Sequence, residues 1–180
     1  MMTSVSIVRE KETGTMEILL VSPMNSLFVI LSKAVPYFVL SILNLTTILL
    51  LSFFVLDVPI AGSLTALVGV SLVFIFVSLA LGLLISNVTQ TQVAAMLASG
   101  MVLMLPTIIL SGIIFPIESM PGILQGISCF IPARWYVSIV RRIMIEGVPF
   151  MYVWKETAIL LFMAVVLIGI TTRTFKNRLE

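Results

Sequence analysis

Between Val58 and Ile117 the chain runs for sixty residues without an Asp, Glu, Lys or Arg. A helix crosses the hydrocarbon core of a bilayer in about 20 apolar residues, so this stretch alone holds at least two crossings. Lipid offers no hydrogen bonds, so every backbone N–H and C=O there must be paired within the protein, which leaves only helices or a closed barrel. Barrel strands alternate apolar and polar residues over about 10 positions; Leu49-Leu50-Leu51 and Phe53-Phe54-Val55 do not alternate. With 60% hydrophobic and 10% charged residues, the chain reads as an all-α integral membrane protein of about four transmembrane helices.

Several kinds of chemistry are excluded at once. There is no histidine, so imidazole metal sites and histidine acid–base catalysis are out. Cys129 is the one cysteine and has no partner in the chain for a disulfide. No Gly-rich Lys loop, metal-ligand cluster or Ser/His/Asp set occurs, which argues against an enzyme. The net charge of +2 is too small to suggest a nucleic-acid partner. The N-terminus reads as no signal peptide, because Arg9-Glu10-Lys11-Glu12 follows a stretch too short for an apolar signal core.

The charges concentrate at the ends of the chain and between apolar runs. Met16, Leu19, Leu20 and Pro23 share a helical face after a polar run, with Gly14 as N-cap and Glu17 at the third helical position. Residues 9–23 are therefore expected to form a short amphipathic element. Spans are expected over 32–56, 63–85, 93–114 and 153–172, with Lys33 and Pro36 at the entry of the first and Pro106 kinking the third. Residues 115–151 are broken by Pro116, Pro121, Pro132 and Pro149 and by three glycines. Two re-entrant or extracytoplasmic half-helices fit there, near 121–130 and 133–145, with Trp135, Tyr136, Tyr152 and Trp154 as headgroup-level anchors.

Four spans put both termini on one side, with Arg9, Lys11, Lys33, Arg173, Lys176 and Arg178. The other side carries Arg134, Arg141, Arg142 and Lys155. The excess of cations points both termini toward the cytoplasm. The spans carry no charge at depth, which argues against ion-coupled carriage. Such carriage would need Glu118 or Arg134 in a water-filled cavity at mid-membrane. Any transport must then be powered from outside this membrane core. The amphipathic element either rests on lipid or docks a soluble partner.

Four segments carry a family likeness. Arg9-Glu10-Lys11-Glu12-Thr13-Gly14-Thr15-Met16-Glu17-Ile18-Leu19-Leu20 resembles the cytoplasmic RE(K/W)E-x-GT-x-E-x-LL pattern of type-2 ABC exporter permeases. Lys33-Ala34-Val35-Pro36-Tyr37 is similar to that family's K-x-x-P-Y span opening. Ser111-Gly112-Ile113-Ile114-Phe115-Pro116-Ile117-Glu118-Ser119-Met120-Pro121 resembles its SG-x-(I/F)-F-x-I-x-SMP segment. Ile131-Pro132-Ala133-Arg134-Trp135-Tyr136 is similar to its P-(A/L)-(R/T)-(W/Y)-(Y/F) motif. The order and spacing resemble the multidrug-type branch over nearly the whole chain.

The resemblance implies a membrane permease, paired with a second permease subunit as a homo- or heterodimer and driven by cytoplasmic ABC ATPase subunits. ATP and Mg would then be bound by the ATPase, with no cofactor in this chain. It implies an ATPase-coupling helix carrying Arg9, Glu10, Lys11, Glu12, Gly14, Thr15 and Glu17. It also implies an extracytoplasmic gate of Phe115, Pro116, Met120, Pro121, Pro132, Arg134, Trp135 and Tyr136. The cargo would be hydrophobic or amphipathic, such as drugs or lipids, and the location a bacterial inner or plasma membrane. Family members carry a span, an extracytoplasmic domain and a second span before the coupling segment, so the chain resembles roughly the C-terminal half of a permease. Met1–Val8 would be the tail of that second span. The alternative is a non-transporting membrane scaffold that recruits a cytoplasmic partner through the same helix.

Overall fold

The computed structural model describes residues 2–12, 26–58 and 61–176. Among them the regular elements are helices only. Helix α1 spans Met2–Glu12, α2 Ser26–Phe54 and α3 Leu64–Val88. Helix α4, Gln92–Ala98, runs through a π-helical segment, Ser99–Met104, into α5, Leu105–Leu110. Helices α6, Gly122–Ser128, and α7, Pro132–Met144, form a hairpin bent by 87°. Helix α8 spans Trp154–Lys176. Among the described residues, four stretches are long and apolar enough to cross a membrane: Ala34–Phe54, Leu64–Val88, Gln92–Leu110 and Trp154–Arg173. The protein is an all-α integral membrane protein.

Local chemistry explains where these helices start and stop. Ser63 caps α3, its Oγ accepting from Ala66 N–H at 3.4 Å, and Thr91 caps α4 through Ala94 N–H at 3.2 Å. Each satisfies one amide that has no partner inside the helix. Helix α2 begins at Ser26, earlier than the expected entry at residue 32, so Pro36 lies inside it. The apolar part of α2 begins at Ala34, so Pro36 still falls in the first turn of the crossing. The third crossing stops at Leu110, short of the expected residue 114. Gly112 there adopts a left-handed φ of 85°, which ends a helix without the Cβ clash other residues incur.

The break in the third crossing takes a different form from a simple kink at Pro106. Proline offers no N–H and its ring collides with the carbonyl four residues back. The helix widens just before it, and Leu105 N–H bonds Gly100 O, a five-residue step. Ser99 Oγ closes the preceding turn on Ala95 O at 2.6 Å. Such π turns bend a helix while keeping its amides bonded.

Helix α3 is the axis of the bundle. It packs against α8, α1, α7 and α2 and contributes Leu67 and Val70 to the core cluster. Helix α7 supplies Ile139, Ile143 and Met144, and Val153 and Leu160 come from the α8 region. At the start of α3, Ala61 N–H bonds Met144 O at 3.2 Å. At its other end Asn87 Nδ2 reaches Thr171 O of α8 at 3.5 Å. Between these ends lie 25 helical residues, or about 37 Å. The C-terminal end of α7 therefore sits beside the start of α3, the last turns of α1 and α8 sit at the other end, and the α6–α7 bend lies between, where Phe130, Ile131 and Pro132 line one cavity with Phe74 and Ser78 of α3.

Candidate functional site

At the α1 end, the residues singled out in the sequence fall into two groups. Arg9, Glu10, Lys11 and Glu12 form the last turn of α1, with Arg9 and Glu12 exposed. Gly14, Thr15 and Glu17 lie outside the described residues. The charged run Arg9–Glu12 thus closes a helix that begins at Met2, and this helix is anchored. Thr3, Ser4, Ile7 and Val8 are buried, and a Cβ added to Gly82 of α3 would stand 3.4 Å from Thr3 Cβ. The small residue lets the two helices approach closely.

Glu12 faces the start of α4. Its Oε1 accepts the backbone N–H of Gln92 at 2.9 Å, and its Oε2 accepts from the Gln92 side-chain Nε2. The backbone bond first, and the side-chain bond second, hold the Glu12 carboxyl below the ordinary glutamate range. Gln92 is the first residue of α4, so a carboxylate here also meets the positive end of a helix. The expected spans 63–85 and 93–114 leave Gln92 in the polar stretch between them. The partner of Glu12 is 80 residues away, and no local pattern announces it.

Farther along α3, Arg134, Trp135 and Tyr136 come together around the α6–α7 bend, beside Ser71 and Phe74. Arg134 Nη1 donates to Gln125 O at 2.9 Å and to Ser128 Oγ, and lies 3.1 Å from Cys129 Sγ. A guanidinium there answers carbonyls left open at the C-terminal end of α6. Trp135 Nε1 donates to Cys129 O at 3.0 Å. Pro132 opens α7, and Ile131 before it is extended, as a pre-proline residue prefers. These contacts give the bend a fixed shape.

Tyr136 turns inward. Its ring stacks on Phe74 of α3 at 4.2 Å and 3°, and its hydroxyl lies 3.0 Å from Ser71 Oγ. The expectation of a headgroup-level anchor gives way here to packing against the core, because α7 is amphipathic and Tyr136 shares the face of Ile139 and Ile143. Phe115, Pro116 and Pro121 are exposed on the preceding loop, away from that face, and Met120 is half-buried. Met120 O accepts from Gln125 Nε2 at 2.9 Å, which ties the loop to α6. The sequence marks Ser71 as a polar group suited to helix–helix hydrogen bonding, and its contact with Tyr136 is of that kind; it gives no sign of Phe74, or of Glu156, whose Oε1 pairs with Arg142 Nη1 at 2.8 Å.

A cavity of about 480 Å³ lies between α3, the π-helical segment and the hairpin, lined by Phe74, Ser78, Ser99, Thr107, Phe130 and Pro132 among others. Its wall is mostly apolar with a few hydroxyls, and its size falls in the range of small-molecule sites.

Comparison with known proteins adds an independent line. The profile of the family described as "ABC-2 family transporter protein" matches residues 1–173. The chain is 38% identical over 180 residues to the probable multidrug ABC transporter permease YbhS of Escherichia coli strain K12, covering 99% of this chain and 48% of that protein. It is 33% identical over 154 residues to the probable multidrug ABC transporter permease YbhR of the same strain, covering 86% and 42%. It is 29% identical over 178 residues to ABC transporter G family member 20 of Dictyostelium discoideum, covering 98% and 24%. The chain thus spans about half the length, or less, of the curated relatives it matches. No solved structure matches.

Proposed function

Since the chain belongs to the ABC-2 transporter family, we propose that it forms transmembrane permease machinery of an ATP-driven exporter. ATP and Mg are bound and turned over by separate cytoplasmic ATPase subunits, which dock on residues 9–23. A second permease subunit completes the pathway, and the α6–α7 hairpin caps its extracytoplasmic exit. Both termini face the cytoplasm of a bacterial cell. The cargo is hydrophobic or amphipathic; the mostly apolar, hydroxyl-dotted cavity beside the π-helical segment supports that class.

One observation carries this reading. The charged end of α1 and the C-terminal end of α7 lie at opposite ends of α3, about one bilayer apart. A soluble motor pushing at one end has a continuous helix bundle through which to act at the other. The test is co-purification. Charge reversal in E10K/E17K should deplete the bound ATPase and abolish permease-stimulated ATP turnover. Full retention of both would reject the docking assignment, and a complex that binds another soluble protein with no ATP turnover would support a scaffold instead.

A further inference from the structure

The transport reading leaves open how movement at the coupling segment reaches the third crossing. Helix α1 contacts the bundle chiefly through α3 and α4. On α3 the contact is close packing of small groups, Thr3 and Ser4 beside Gly82. On α4 it includes a two-point polar tie, with both oxygens of Glu12 engaged by Gln92, one through the backbone and one through the side chain. The backbone bond matters most, because it grips the helix itself instead of a mobile side chain. Beyond Gln92, α4 runs without interruption into the π-helical segment and the wall of the 480 Å³ cavity.

We propose that Glu12 is a positioning residue, clamping the end of α1 to the first turn of α4 so that the coupling segment and the third crossing move as one piece. The proposal rests on the transport reading and assigns Glu12 a role within the permease. Its carboxylate is turned to Gln92, leaving the neighbouring positions of residues 9–23 for the ATPase surface. A carboxylate suits the task, since it accepts both N–H groups at once and its charge favours a helix N-terminus.

The chemistry gives a swap test. In Q92E two carboxylates face each other, and repulsion turns the Glu12 carboxylate away from both bonds. In E12Q/Q92E the new carboxamide on α1 accepts the residue-92 backbone N–H through its oxygen, and its NH2 donates to the new carboxylate on α4, so both bonds return. The readout is a bimane label on L97C, an exposed α4 position, in a C129S background. It is measured in the isolated permease–ATPase complex before and after ATP, Mg and vanadate.

We expect the nucleotide-driven change in bimane emission to fall at least about five-fold in Q92E. The amount of bound ATPase and its basal turnover should be unchanged, and the swap should restore most of the response. A Q92E response equal to wild type, or a swap that fails to rescue, overturns the clamp. Should Q92E fail to fold, Q92A carries the test, since it removes one bond and leaves the backbone bond in place; its response should be intermediate, and a wild-type response from it overturns the clamp. Failure of the transport reading looks different, with no ATPase bound and no nucleotide response in the unmutated protein.

Discussion

Gly62 is the position where one added carbon should cost most. It lies in the turn before α3, and a Cβ there would stand 2.5 Å from Ile143 O and 3.1 Å from Ile143 Cγ2. The nearer atom is helix backbone, and Ile143 is fully buried in the core, so neither can swing aside. Relief requires the turn to lift from α7, which stretches the adjacent Ala61–Met144 hydrogen bond of 3.2 Å. Overpacking costs about 1–3 kcal/mol and a weakened hydrogen bond about 1 more, so roughly 3 kcal/mol in all is expected for G62A. For a chain of this size that lowers the melting temperature by roughly 6–12 °C. The assay is a thermal series read by size-exclusion chromatography of the detergent-solubilised protein. G69A is the control. Gly69 is in α3 with nothing within 4 Å of an added Cβ, and alanine favours helix by up to about 1 kcal/mol. A G62A protein that melts with the wild type would refute the seating of the α2–α3 turn on α7.

Three further outcomes follow from the same geometry. Y136F keeps the stack on Phe74 and loses the contact with Ser71 Oγ; because that hydroxyl still bonds Leu67 O, the loss should be about 1 kcal/mol, read as a small drop in melting temperature. R142A leaves the half-buried Glu156 without its cation, while the other oxygen of Glu156 is already buried and unpartnered among the described residues. Adding E156Q should recover part of the loss, and a double variant worse than R142A would contradict the pairing. Glu12 titrates below the ordinary glutamate range because Gln92 N–H groups bond its charged form. The tie is therefore complete at and above that range and is lost as pH falls through the depressed value; the Gln92 amide resonance should follow this acid-side titration, and in E12Q it should not.

The four crossings are legible because charge is so scarce that its positions delimit them. Their ends are less so. Apolarity continues past Leu110 through Ile113 and Ile114, and only the left-handed turn at Gly112 stops the helix. The π-helical turn is invisible for a related reason: in a helix apolar on every side, a shift of register leaves no mark on the hydrophobic pattern. Pro106 signals that something must give, and the backbone responds by widening. Helix α7 is legible as a helix, yet its placement depends on which face wins. Ile139 and Ile143 draw it onto α3 and α8, and Tyr136 goes with them. Glu12 shows the limit most clearly. Its charge reads as a solvated surface until α4 is brought alongside, and sequence spacing says nothing of a partner 80 residues on.

The central claim is that residues 9–23 receive the push of a separate nucleotide-hydrolysing subunit from the cytoplasm. A photo-crosslinker attached at T15C in intact membranes tests it most directly. The account predicts that the site is shielded from impermeant reagents applied outside the cell, and that illumination joins it to an ATPase subunit. A site that reacts from outside, or that captures lipid alone in the assembled complex, would contradict it.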